Sequence, residues 1–120
     1  MATGDWLPAD DVLAYLKVAA GSENAAAVLA ARLAAVRLVE RERGDLALDT
    51  LPDPTAPETV AALGDVRAGA LLLVGRLYAR KGTPEGIATF GELGAAMILR
   101  SDPDIGMLLG IGRHGRPGIA

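Results

Sequence analysis

The chain has 120 residues, of which 51% are hydrophobic, 22% charged and 3% aromatic. That length suits one compact domain and excludes a large multi-domain enzyme. The absence of cysteine excludes a disulfide framework, a zinc ribbon and thiol chemistry, and a net charge of -3 argues against a tight, sequence-independent grip on a phosphate backbone. The opening residues are acidic where a signal peptide would be basic. The most apolar run, Ala68 to Gly75, spans eight residues, against the roughly 20 needed to cross a bilayer. A soluble protein is expected.

Ala and Leu dominate, and apolar residues recur at helical spacing. The sequence predicts a mainly α fold: a small helical bundle over residues 1–110 with a long third helix and a short strand or hairpin segment, then an extended C-terminal arm over 111–120. Pro8, Asp10 and Asp11 suit the start of a first helix running to about Val18, with Val12, Leu13, Tyr15 and Leu16 buried. Gly21 breaks the chain, and Ser22 is the expected N-cap of a second helix that ends at Arg43 before Gly44. Leu29, Leu33, Val36 and Val39 or Glu40 follow core spacing there, with Arg32, Arg37, Arg41 and Glu42 displaced from it. The stretch DLALDTLPDPTA, Asp45 to Ala56, reads as a connection.

A long third helix is predicted from Pro57 to Lys81, closing at Gly82, with Val60, Leu63, Val66, Ala70, Leu71, Leu73, Val74, Leu77 and Tyr78 on its broad apolar side. Gly69 and Arg76 fall on the other side. Arg67 projects inside the apolar side. Either its stem covers the core edge while the guanidinium reaches water, or it pairs with a carboxylate such as Glu40 or Asp11, or with a neighbouring subunit. Thr83 to Gly86 is a turn, and Ala95 to Arg100 reads as a short strand in a glycine-rich setting. Ser101, Asp102 and Pro103 then open a last helix through Leu109, with Asp102 a cap and Ile105, Leu108 and Leu109 apolar. The remainder, GIGRHGRPGIA, reads as extended.

No constellation for catalysis, cofactor or metal emerges. Gly110, Gly112 and Gly115 spell GxGxxG, but a dinucleotide loop must follow a strand and open a helix, and too little sequence follows. His114, the single histidine, sits in the same segment and has no partner to work with. Asp102 and Asp104 have calcium-loop spacing without the remaining ligands, so capping is the better account. Glu40, Glu42 and Asp45 interleave with Arg32, Arg37, Arg41 and Arg43, which favours a salt-bridged face over a nucleic-acid surface. No pair of carboxylates is marked out for a hydrolase.

Four strings point further: WLPADDVLAYLKV, VRLVERERG, VRAGALLLVGRLYARKGTPEG and GELGAAMILRSDPDIGMLLG. In this order, over nearly the whole chain, they resemble the head-to-tail connector (adaptor) proteins of long-tailed double-stranded DNA bacteriophages. The helix VRAGALLLVGRLYAR, the TPEG turn and the closing SDPDIGMLLG are its most specific parts. The resemblance implies a structural protein of the virion neck, made in the host cytoplasm, that is not an enzyme and carries no cofactor. Copies would form a ring beneath the portal, commonly a dodecamer, extending the DNA channel and offering a platform to tail-completion or stopper proteins. Genomic DNA would pass through without specific binding, and no membrane is involved. Within that frame Ile111, Arg113, His114, Arg116 and Ile119 are expected in a portal-docking arm. Arg67, Phe90, Leu93, Met97, Ile98 and Leu99 are expected between subunits. Two other classes compete: a small helical nucleic-acid-binding regulator working through the second helix, and a small enzyme using carboxylates.

Overall fold

A computed structural model of the chain describes residues 4–81, 94–99 and 101–111. They form helices α1 (Ala9–Leu16), α2 (Ala25–Glu42), α3 (Pro57–Ala62) and α4 (Gly64–Lys81), a helical stretch α5 over residues 94–99, and α6 (Pro103–Leu109). Two single 3₁₀ turns, Gly44–Leu46 and Leu48–Thr50, lie in the connection after α2. The fold is mainly helical. α4 is the central element, packed against α1, α2 and α6. Trp6, Leu7, Leu38, Leu48, Leu73, Leu77, Ile105 and Leu109 are the largest fully buried side chains.

α1 begins where the proline and two aspartates predict, with Pro8 in the N-cap position. It stops at Leu16 because Lys17 turns left-handed, at φ 59° and ψ 41°. The Lys17 amide donates to the Ala14 carbonyl at 3.1 Å and the Val18 amide to the Leu13 carbonyl at 3.0 Å, which is the Schellman pattern without its usual glycine. Val12 and Leu13 are buried, Leu16 is half-buried, and Tyr15 is exposed, contrary to expectation.

Ser22 does not cap α2. The Ser22 amide donates to Ala19 and its carbonyl accepts from Ala25, so the chain arrives already turning, and Asn24 holds the N-cap position in right-handed helical geometry without a side-chain cap. The phase of α2 also differs from the sequence reading. Its buried face is Ala25, Ala27, Val28, Ala31, Ala34, Ala35, Val36, Leu38 and Val39, whereas Leu29 and Leu33 point out. Small side chains allow a close approach, so in this helix several alanines lie in the core while Leu29 and Leu33 lie at the surface.

The predicted long third helix is two helices. Leu63 leaves helical geometry at φ -96° and ψ 14°, and its carbonyl then accepts from the Arg67 amide at 2.8 Å to start α4. Gly64 is a poor interior helix residue and Asp65 suits a first turn, so a restart there costs little. Gly69, assigned to the polar side from periodicity, is buried. A Cβ there would lie 2.9 Å from Leu109 Cγ and 3.0 Å from Leu108 Cβ, so the leucine side chains of α6 pack directly on the α4 backbone.

The predicted strand over Ala95 to Arg100 is not formed: residues 94–99 are helical. Ala95 and Ile98, three apart, both enter the core, which is helical rather than alternating spacing. The Ile98 carbonyl accepts from the Asp102 amide at 2.9 Å, leading directly into α6. α6 closes with a second Schellman pattern at Gly110, φ 69°, where the Gly110 amide donates to Met107 and the Ile111 amide to Gly106. Ile111 is packed against the core. The first residue of the expected arm therefore belongs to the helical domain, and Ile98 lies in that domain's own interior.

Candidate functional site

Much of the polar chemistry of the domain lies along α2 and its C-cap, at Arg32, Glu40 and Arg43, for which the charge pattern favours a salt-bridged face, with Glu40 also an alternative for core spacing. Near the middle of α2, Arg32 donates from Nε to the Leu7 carbonyl at 2.7 Å and from Nη2 to the Gly4 carbonyl at 2.8 Å. Two turns later one oxygen of Glu40, Oε2, accepts from both the Gly4 amide and Trp6 Nε1, each at 2.9 Å. Residues 4–7 thus form a strap on α2, with Trp6 and Leu7 buried beneath it. Gly4 has φ 87°, and a Cβ there would sit 2.7 Å from Arg32 Nη2. Burial lowers the Arg32 guanidinium from its ordinary pKa, opposed by the fields of Asp5 and Glu40.

At the end of α2, Arg43 is only 5% exposed. Its Nη1 donates to the Leu109 carbonyl at 2.7 Å, while Nε and Nη2 engage both oxygens of Asp45 at 2.9 and 3.0 Å. The hydrogen bond with Asp45 raises the Arg43 pKa, so the buried group is firmly cationic. Arg43 thereby satisfies an end carbonyl of α6, 66 residues away in sequence. A Cβ on Gly110 would lie 2.8 Å from its Nη1.

Two further ion pairs tie α4 to its neighbours. Arg67 Nη2 meets Asp11 Oδ2 of α1 at 2.7 Å, one of the alternatives open from sequence, and its buried Nε has no hydrogen-bond partner. Arg76 Nε meets Asp102 Oδ2 at 3.1 Å, while Asp102 Oδ1 accepts from the Ile105 amide as the N-cap of α6. Of the four arginines of α2 and its C-cap, Arg32 and Arg43 are consumed by contacts inside the domain, Arg41 pairs with Glu42 at 3.6 Å, and Arg37 is exposed. Sequence inspection misses the roles of Arg32 and Arg43 because their acceptors are backbone carbonyls far along the chain, which leave no local pattern. A hint exists only in Gly4 and Gly110, whose positions relative to the arginines need the fold.

Besides Tyr15 on α1, large apolar side chains remain exposed in two further places. Leu29 and Leu33, each 39% exposed, lie one turn apart on α2, beside the exposed Ala26 and half-buried Ala30. Met97 on α5 is 49% exposed and Met107 on α6 is 62% exposed. Of the residues expected between subunits, Met97 is thus exposed, Leu99 half-buried, Ile98 buried and Arg67 engaged with Asp11. Phe90, Leu93, the turn from Thr83 to Gly86, and Arg113, His114, Arg116 and Ile119 lie outside the described residues.

Among the described residues no group of three His, Asp or Glu side chains is placed to hold a metal ion, and no helix is long and apolar enough to cross a membrane. Comparison with protein-family models, with curated proteins and with solved structures finds no match to this chain.

Proposed function

We propose that this chain is a structural protein of a bacteriophage neck, forming a ring below the portal that extends the DNA channel and receives tail-completion or stopper proteins. The observation that carries the reading is the likeness of its strings to the connector family, above all VRAGALLLVGRLYAR and SDPDIGMLLG. These two strings are α4 and α6, and they pack on one another through Gly69 against Leu108 and Leu109 and through Arg76 with Asp102. The parts most specific to the likeness are therefore one physical unit. Exposed Leu29, Leu33, Met97 and Met107 give a small subunit apolar surface for neighbours. The regulator reading is less well supported, because Arg32 and Arg43 are spent on backbone carbonyls within the domain.

The test is to mix the purified chain with assembled portal of the same phage and image the complex by negative stain. A ring stacked coaxially on the portal is the expected result. Absence of portal binding together with duplex DNA affinity that falls steeply with salt would establish the regulator instead. In the docking-arm part of this proposal, Arg113, His114, Arg116 and Ile119 make the portal contacts. Deletion from Gly112, rather than from Ile111, is the variant to use, since Ile111 is part of the core. That deletion is expected to abolish attachment, and unchanged attachment would remove the arm from the proposal.

A further inference from the structure

We propose that α3 and α4 are two halves of one helix, parted by a hinge at Leu63 and Gly64, and that the protein has a second state in which residues 57–81 run as a single helix. The inference is independent of the neck reading. Only one residue separates the two helices, and the departure is confined to it. Leu63 sits at φ -96° and ψ 14°, yet its amide still donates to the Thr59 carbonyl at 3.0 Å and its carbonyl accepts from the Arg67 amide at 2.8 Å. Both bonds have the spacing of an uninterrupted helix. No proline lies between Glu58 and Lys81.

The apolar pattern suits the longer helix. Ala56, Val60, Leu63, Val66 and Ala70 follow one another at steps of four, three, three and four, a single stripe that crosses the break. α3 itself has no buried residue. What holds it is the chain before it, where Leu48, Pro54 and Ala56 are buried. The connection is thus pinned to the core and turns the chain at Leu63, against a local preference for helix. Such a conflict between adjacent residues and distant anchors brings two packings of one sequence close in free energy. Gly64 suits the hinge, since a Cβ there would meet nothing within 4 Å. In the joined state the Gly64 amide bonds the Val60 carbonyl, and α4 gains about 10 Å at its N-terminal end.

The experiment follows the full chain by backbone NMR, reading amide exchange at residues 64 and 66 and the Cα shift of Leu63. One change inserts Gly-Ser-Gly-Ser between exposed Pro52 and Asp53, which slackens the pin without altering a buried side chain. It is combined with Gly64→Ala, which adds no clash to the bent state and favours the joined one by up to about fivefold. Exchange at both amides is expected to slow by at least about tenfold, and the Leu63 shift to become helical. Adding Asp65→Pro is expected to reverse both changes, because proline is tolerated in the first turn of α4 and not inside a continuous helix. Exchange and shift left unchanged by the insertion with Gly64→Ala, or changes that survive Asp65→Pro, would overturn the proposal. Neither readout depends on the portal.

Discussion

The two arginine clamps on α2 use the same parts in different surroundings. Arg32 and Arg43 each donate to a distant backbone carbonyl, and each lies against a glycine of positive φ, Gly4 at 87° and Gly110 at 69°. Arg32 is half-buried and holds a strap near the start of the chain, whereas Arg43 is buried and holds the end of α6. The difference teaches that a hydrogen bond's worth depends on what its acceptor can do without it. The hydrogen bonds of Arg32 are only partly buried, whereas the bond from Arg43 to the Leu109 carbonyl is buried.

Removing Arg43 is the strongest way to break the comparison. Arg43→Met is expected to cost about 2–3 kcal/mol by chemical denaturation, because a buried carbonyl is left unpaired, and Arg43→Lys is expected to recover little of it for want of the planar fork. A cost below about 1 kcal/mol would mean that the site admits water. Gly110→Ala attacks the same clamp from the other side, through both its backbone and the crowding of Nη1, and is expected to cost about 2 kcal/mol. The double variant should cost less than the sum, since both changes disrupt one arrangement. Arg32→Met is expected to cost only about 1 kcal/mol while red-shifting Trp6 emission as the strap loosens; an effect equal to that of Arg43→Met would erase the distinction between the clamps. At the other left-handed helix end, Lys17→Gly is expected to stabilise the protein by about 0.5–1 kcal/mol, read as a higher melting temperature.

The helical class, the start of α1 at Pro8 and the opening of α6 at Asp102 are legible because they depend on residues within one turn of each other. What is not legible depends on contacts between distant residues. The face of α2 is hidden because alanine is apolar enough for either side, and only the closeness of α1, α4 and the strap decides that Ala31 goes in and Leu33 out. Gly69 reads as a weak helix position until α6 is laid across it. The glycine-rich setting argues against a helix and lets Ala95 to Arg100 read as a short strand, but burial of Ala95 and Ile98 selects the helix. The exposure of Leu29 and Leu33 escapes notice for the same reason: they look like core until the core is filled by others.

The seating of Leu109, Gly110 and Ile111 has a mechanical consequence. Tension applied to the chain beyond Ile111 must first draw Ile111 from the core and then part the Leu109 carbonyl from Arg43 before α6 can unravel from that end. Because the guanidinium belongs to α2, the pull is carried into the middle of the domain rather than dissipated by peeling its last helix.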